Sequence, residues 1–266
     1  MELHFECTQC GRCCHDLRLT LSVAEACAWA GRGHQVDLLT EAWPWPDDGP
    51  SEDAVMAWRK ATSFAVRVGD VPFRINLRLV ARHEGACPHL LPDMRCGNYE
   101  ARPRICRIYP LESRPFEAVE PGRRKCPPEA WHDDMPLLER DGEPSDSAAG
   151  EVLAAHRQAM IDDVPVKARL ASALGFAETA FAGEGMAVCE VAPLALLTAV
   201  EEVSCGLWDD AQGWAIVTNR TATAQMLADL DCPVRLVSAG PAFLPALLTR
   251  PDQADLARAP KRPNLR

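Results

Sequence analysis

Four cysteines fall within eight residues near the start of the chain: CTQCGRCC holds Cys7, Cys10, Cys13 and Cys14. Neither helix packing nor strand pairing calls for thiols at that density, so their partner is another sulfur or a metal. Four more, Cys87, Cys96, Cys106 and Cys126, stand among Pro88, Pro92, Pro103 and Pro110, where no long helix can form. Thiolate binds zinc and iron-sulfur clusters alike, and four thiolates complete either site. Eight candidate ligands are therefore enough for two centres.

The rhythm of the first three, CxxCxxC, is that of ferredoxin-type segments, where three thiolates meet one cubane and a distant Cys-Pro supplies the fourth. Cys87 with Pro88 and Cys126 with Pro127 both suit that fourth role. Cys14 adjoins Cys13, and neighbouring side chains on an extended backbone point apart, which predicts that Cys14 serves a second centre. A three-plus-one and one-plus-three division uses all eight, with two-plus-two left open. Of the remaining cysteines, Cys27 reads as a small packed side chain, and Cys189, Cys205 and Cys232 lack ligand spacing.

Composition narrows the partner from disulfide to metal. The start of the chain has neither a basic nor an apolar leader pattern, and the expected location is cytoplasmic, where disulfides are disfavoured. Twelve cysteines in 266 residues are too few for a disulfide scaffold, and the chain is long enough to bury a core without one. No apolar run approaches a membrane span. The formal net charge is -10, yet Arg95, Arg102, Arg104, Arg107, Arg114, Arg123, Arg124 and Lys125 outnumber Glu100, Glu112, Glu117 and Glu120 across residues 95–125. Because this basic island coincides with the cysteines, its expected task is to offset thiolate charge, with Arg104 and Arg107 the natural candidates. Nucleic acid and membrane are not expected partners; a protein is. His15, His83 and His89 flank cysteines and could replace a thiolate, although packing or surface roles suit each better. Tyr99 and Tyr109, the only tyrosines, fall in the same stretch as supports for the site.

Elements must hold these loops. Ser22 and Glu25 form a capping-box pattern opening a helix that Gly31 or Gly33 ends. A helical stretch is expected around Val55 to Lys60. Alternation of Phe64, Val66 and Val68, then of Phe73, Ile75, Leu77 and Leu79, predicts a hairpin turning at Gly69 and Asp70. Residues 127–150 read as a linker. Beyond it, 151–160, 166–181 and 192–208 have helical composition, and WAIVTN, ATAQMLADL and VRLVSA alternate as strand, helix and strand. The tail RAPKRPNLR is expected to be disordered. The expected fold is α+β: a cysteine-rich, loop-dominated metal-binding domain (1–126) with a β-hairpin and short helices, followed by a helix-rich α/β region (151–266).

FECTQCGRCC, CPHL and CGNYEARPRICRIYP together resemble the YkgJ-type cysteine-cluster family of zinc- or iron-chelating CxxCxxCC proteins, over roughly Phe5 to Cys126. The resemblance implies a metal or iron-sulfur centre, a 4Fe-4S cluster or zinc, on Cys7, Cys10, Cys13, Cys14, Cys87, Cys96 and Cys106, with Cys126 as a further ligand. Asn98 is a small departure from the family pattern. Related clusters are similar to part of the flagellin lysine methylases, which gives an enzymatic alternative, although no glycine-rich cofactor loop is present. A radical-SAM spacing, CxxxCxxC, is absent. A structural zinc module and a metal-delivery protein complete the expected range.

Overall fold

A computed structural model describes residues 2–46, 49, 52–111, 116, 118–208 and 213–246. The tail RAPKRPNLR and Arg114, Glu112 and Glu117 of the basic island lie outside them. In chain order the elements are β1 (Glu2–His4), β2 (Arg18–Leu21), α1 (Val23–Ala30), β3 (Val36–Pro44), α2 (Ala54–Ala61), β4 (Phe64–Val68), β5 (Val71–Arg82) and α3 (Arg104–Ile108). Then follow β6 (Leu137–Arg140), β7 (Glu143–Pro144), α4 (Ser147–Asp162), α5 (Val164–Ala173), β8 (Glu178–Phe181), β9 (Gly185–Val191) and α6 (Pro193–Ser204). The last are β10 (Ala215–Thr218), α7 (Thr221–Ala228), β11 (Val234–Leu236) and β12 (Phe243–Pro245). The fold is mixed α+β, and among the described residues no helix is long and apolar enough to cross a membrane.

The predicted local signals appear in place. Ser22 caps α1, its hydroxyl accepting from the Glu25 amide while the Glu25 carboxylate accepts from the Ser22 amide, and the helix ends at Gly31. Strands β4 and β5 pair antiparallel around Gly69 and Asp70, from Val68 opposite Val71 to Phe64 opposite Ile75. Gly69 takes φ +56°, and a side chain there would meet the Asp231 carbonyl at 2.6 Å, so only glycine serves that turn. On β5, Phe73, Ile75, Leu77 and Leu79 are buried while Arg74, Asn76 and Arg78 line the opposite face.

The large sheet runs β11-β10-β8-β3-β5-β2, with β4 on β5, β9 on β3 and β12 on β9. Strand β3 sits at its centre, and Leu38 lies opposite both Leu79 of β5 and Cys189 of β9. Residues from α1 (Trp29), α5 (Leu170), α6 (Leu196) and α7 (Leu227) join one buried cluster with Leu38, Leu79 and Ile216. Strands from before residue 127 and from after residue 150 thus share one sheet and one core.

Two segments depart from the sequence reading. Residues 127–150 carry β6, β7 and the first turn of α4, and β6 pairs antiparallel with β1 through Leu3 opposite Glu139. The helix expected over 166–181 stops at Ala173; Gly175 takes φ +63°, and residues 178–181 become β8, paired parallel to β10 and β3. Short apolar runs are decided by what they pair with, and here two waiting strands outweigh helical composition.

Leu38→Ala should cost about 2–5 kcal/mol, as for other fully buried leucines. In the metal-free protein, near-UV and far-UV circular dichroism should report one coincident urea transition. Two separated transitions would contradict the shared core.

Candidate metal centre

The eight cysteines lie where β2 and β5 run out of the sheet. Beyond Arg18 opposite Arg82, a bridge pairs His15 with Ala86, and the amide of Asp16 donates to the Gly85 carbonyl at 2.9 Å. The Asp16 carboxylate in turn accepts from the Gly85 amide at 2.6 Å. One step further, the Cys87 amide donates to the Cys14 carbonyl at 2.7 Å. The first cluster and the second thus grow from the ends of one paired ladder.

Each loop is tightened locally. Gln9 and Gly11 both adopt positive φ, and the Cys14 amide bonds the Gly11 carbonyl at 2.9 Å, closing the turn that carries Cys13 and Cys14. After Cys87, the His89 amide hydrogen-bonds the Cys87 sulfur, and the Leu90 amide bonds the Cys87 carbonyl at 2.9 Å. The chain then doubles back, with Gly97 donating to His89 at 2.7 Å and Leu90 bridged to Cys96, so that Cys96 returns to Cys87.

Cys106 sits on α3, a helix of five residues whose N-terminus has no side-chain cap of its own. Glu25 supplies one: its carboxylate accepts from the Arg104 amide at 2.7 Å while also completing the capping box of α1. The Arg104 guanidinium reaches the Ser22 hydroxyl at 2.8 Å and Glu25 at 3.5 Å. A single carboxylate therefore fixes two helix starts, and with them Cys106.

Cys126 is placed by its neighbours. The Lys125 amide donates to the Tyr109 hydroxyl at 2.9 Å, the Arg124 guanidinium to the Pro110 carbonyl at 2.9 Å, and the Lys125 ammonium to the His15 carbonyl. Tyr109 also hydrogen-bonds the Cys126 thiol, and burial pushes the tyrosine itself up to about 12. On the far side, β1 lies against β6, Glu6 donates to Ala130 at 3.0 Å, and Phe5 packs on Trp131 at 4.7 Å between ring centroids. This brings Cys7 beside the segment that follows Cys126.

Each thiol has its own set of electrostatic neighbours. Cys126 feels Cys13, Cys10 and Cys7, whereas Cys106 feels Cys87, Cys13 and Cys96. Burial pushes Cys106 up to about 12, and those thiolates add to the shift. Cys13 is instead lowered to about 6, chiefly by a hydrogen bond from the Cys14 thiol, whose own ionisation is correspondingly opposed. All eight are free of disulfides. Among the described residues no three His, Cys, Asp or Glu side chains already stand in a coordination shell. The donor set nevertheless suits a metal, because gathered thiolates raise one another's charge cost, and a shared cation removes it.

Within the basic island, the two arginines singled out are not the ones whose charge acts on the thiols. Arg104 is spent on Ser22 and Glu25, and Arg107 is an exposed residue of α3. The cations whose charge reaches Cys13 are Lys125 and Arg102, and Arg102 also reaches Cys106. The helix start, invisible as a tertiary contact in sequence, redirects Arg104.

The histidines stay outside the thiol group. His15 Nδ1 lies 3.0 Å from the Gly11 carbonyl, and His83 Nδ1 lies 3.3 Å from that of Gly85. His89 packs edge-on against Trp29 and His34, at 5.1 and 5.2 Å. Burial lowers both His83 and His89, favouring neutral rings. Among the other cysteines, Cys27 lies on α1 with Asp163 as its charged neighbour, Cys232 donates to the Val68 carbonyl at 3.2 Å, Cys189 faces Asp37 and Glu190, and Cys205 is exposed at the end of α6.

Residues 6–127, a little under half the chain, match the CxxCxxCC family, whose description reads "Putative zinc- or iron-chelating domain". No curated protein and no solved structure matches the chain.

Glu25→Gln should release the start of α3 and speed alkylation of Cys106 in the metal-free protein by about tenfold or more, with circular dichroism unchanged. An unaltered rate would remove Glu25 from the site. Cys13 should alkylate with a midpoint near about 6 in the metal-free protein. Since the Cys14 thiol favours the Cys13 thiolate, Cys14→Ala should move that midpoint upward by about one pH unit or more. No upward movement would contradict the Cys13–Cys14 hydrogen bond.

Proposed function

We propose, from the CxxCxxCC match and the convergence of eight free thiols at one end of the sheet, that this is a metal-binding protein with two cysteine-ligated centres. Cys7, Cys10, Cys13 and Cys126 would hold the first, and Cys14, Cys87, Cys96 and Cys106 the second. The observation that supports the division is which thiols act on one another: Cys126 feels Cys7, Cys10 and Cys13, and Cys106 feels Cys87 and Cys96, while Cys13 acts on both and is placed with the first set by the CxxCxxC rhythm. Cys14 shares a 3-10 turn with Cys13 and its thiol hydrogen-bonds Cys13, so the two side chains do not point apart as an extended backbone would require. We assign it to the second group because its thiol also feels Cys87 and Cys106 and its carbonyl accepts from the Cys87 amide.

The favoured occupant is an iron-sulfur cluster, supported by the CxxCxxC rhythm of the first set and by Cys126 followed by Pro127. Such a cluster would supply one-electron redox chemistry. The protein's own groups would set its surroundings: Arg102 and Lys125 offset thiolate charge, the His89 amide and the Tyr109 hydroxyl hydrogen-bond sulfur, and proline-stiffened loops hold the ligands. Closed zinc sites are the second reading, since eight thiols divided into two fours leave no open coordination position, as in structural zinc. A reducing, cytoplasmic setting suits either occupant.

Metal and acid-labile sulfide analysis of anaerobically purified protein separates the two occupants: iron with equimolar sulfide against zinc without sulfide. Under the two-centre reading, Cys126→Ser should remove part of the metal and Cys106→Ser a complementary part. Loss of all metal, or of none, in both variants would overturn the division.

A further inference from the structure

The two sets of thiols are fastened to the fold in different ways. Of the eight, Cys87 and Cys106 alone pack against the main buried cluster, which holds Trp29, Leu79 and Leu170. Cys14 is tied to them, its carbonyl accepting from the Cys87 amide at 2.7 Å, and Glu25 fixes the helix that carries Cys106. Cys96 stands on a surface loop, but backbone bonds close that loop. The Leu91 amide donates to the Arg95 carbonyl at 2.8 Å, the Met94 amide to Leu91 at 2.9 Å, and the Gly97 amide to His89 at 2.7 Å.

The other set hangs from an arm. Cys7 is the one exposed thiol of the eight, and Glu6, Thr8 and Gln9 around it are exposed as well. From Cys7 to Cys10, among the described residues, no backbone group hydrogen-bonds another. What holds the arm lies just before it: the Glu6 amide on the Ala130 carbonyl and the Phe5 ring on Trp131. Cys126 is steadied by the Tyr109 hydroxyl rather than by the sheet or its core. A segment with few backbone hydrogen bonds and no core contact opens locally at small cost, whereas one packed on the core opens only with it.

We propose that the centre of Cys7, Cys10, Cys13 and Cys126 is exchangeable and passes its metal, through Cys7, to a thiol-bearing acceptor, while the centre of Cys14, Cys87, Cys96 and Cys106 keeps its own. This rests on the two-centre reading given above. Thiolate is the ligand on both sides of the exchange. The accepting thiol bonds the metal as Cys7 lets go, and the proton it sheds passes to the Cys7 sulfur. No electron is transferred. Cys10, on the same arm, follows Cys7. The inner centre, anchored to the core, then holds the loops in place while the outer one is empty, so that the outer ligands can be refilled.

The test challenges the full chain, purified anaerobically with its metal, with excess of the dithiol dimercaptosuccinate. Released metal and the alkylation of each cysteine, read by mass spectrometry, are followed in time. About half of the metal should leave about tenfold or more faster than the rest, at a rate proportional to the dithiol. Cys7, Cys10 and Cys126 should become alkylated with that first half, and Cys87, Cys96 and Cys106 with the second. Phe5→Ala, which frees the arm, should speed the first phase alone; Glu25→Gln, which frees the start of α3, should speed the second alone. A single phase in which all eight thiols appear together, earlier appearance of Cys87, Cys96 and Cys106, or an equal response of both phases to Phe5→Ala would overturn the exchangeable centre and leave metal binding in place. Protein that holds no metal as purified and takes up neither zinc nor iron would instead overturn the metal reading, and the exchange with it.

Discussion

Ionised thiols repel one another, and this chain gathers eight of them at one end of a sheet. Burial first, and the neighbouring thiolates after it, raise Cys87, Cys106 and Cys126, while Cys13 is lowered by its hydrogen bond with Cys14. A cation shared among them reverses the sign of the interaction, and the surrounding structure makes sense as the means of keeping the ligands together until one binds. Loops on their own would drift apart. What prevents it is backbone hydrogen bonding between the two thiol-bearing turns, from His15 opposite Ala86 to Cys87 on Cys14.

The rest of the fold supplies rigid anchors for that stitching. Strands β2 and β5 deliver the first two loops from neighbouring positions in the sheet, and α1 hands its Glu25 carboxylate to α3 so that Cys106 arrives at a fixed angle. The small sheet of β1 and β6 closes the circuit by setting Cys7 near Cys126. The later strands contribute through the core: β3 lies between β5 and β9, so the helices and strands that follow the cysteine-rich region stabilise the platform from which its loops project.

Local grammar was legible in the sequence, and tertiary pairing was not. The Ser22–Glu25 box, the turn at Gly69 and Asp70, and the β5 alternation each depend on residues a few positions apart. Strand β8 escaped notice because its four residues take their conformation from β10 and β3 rather than from their own composition. Strand β9, with cysteine and glutamate interrupting a short apolar run, gave no periodic signal of its own. At the site, cysteine spacing and the Cys-Pro pairs flagged the eight candidates, but spacing gave Cys87 and Cys126 equal standing as companions of Cys7 and Cys10. The β1–β6 pairing, remote in sequence, is what brings Cys126 to that side. The same limit explains Arg104: its charge was visible, its partner on α1 was not.

Differential alkylation read by mass spectrometry tests the central claim most directly, with one isotopic label applied to the protein as purified anaerobically and a second after metal removal. A shared cation predicts that Cys7, Cys10, Cys13, Cys14, Cys87, Cys96, Cys106 and Cys126 take the second label, while exposed Cys205 takes the first. If Cys7 and its seven companions take the first label as readily as Cys205, no metal binds them together, and the gathering of thiols has some other cause.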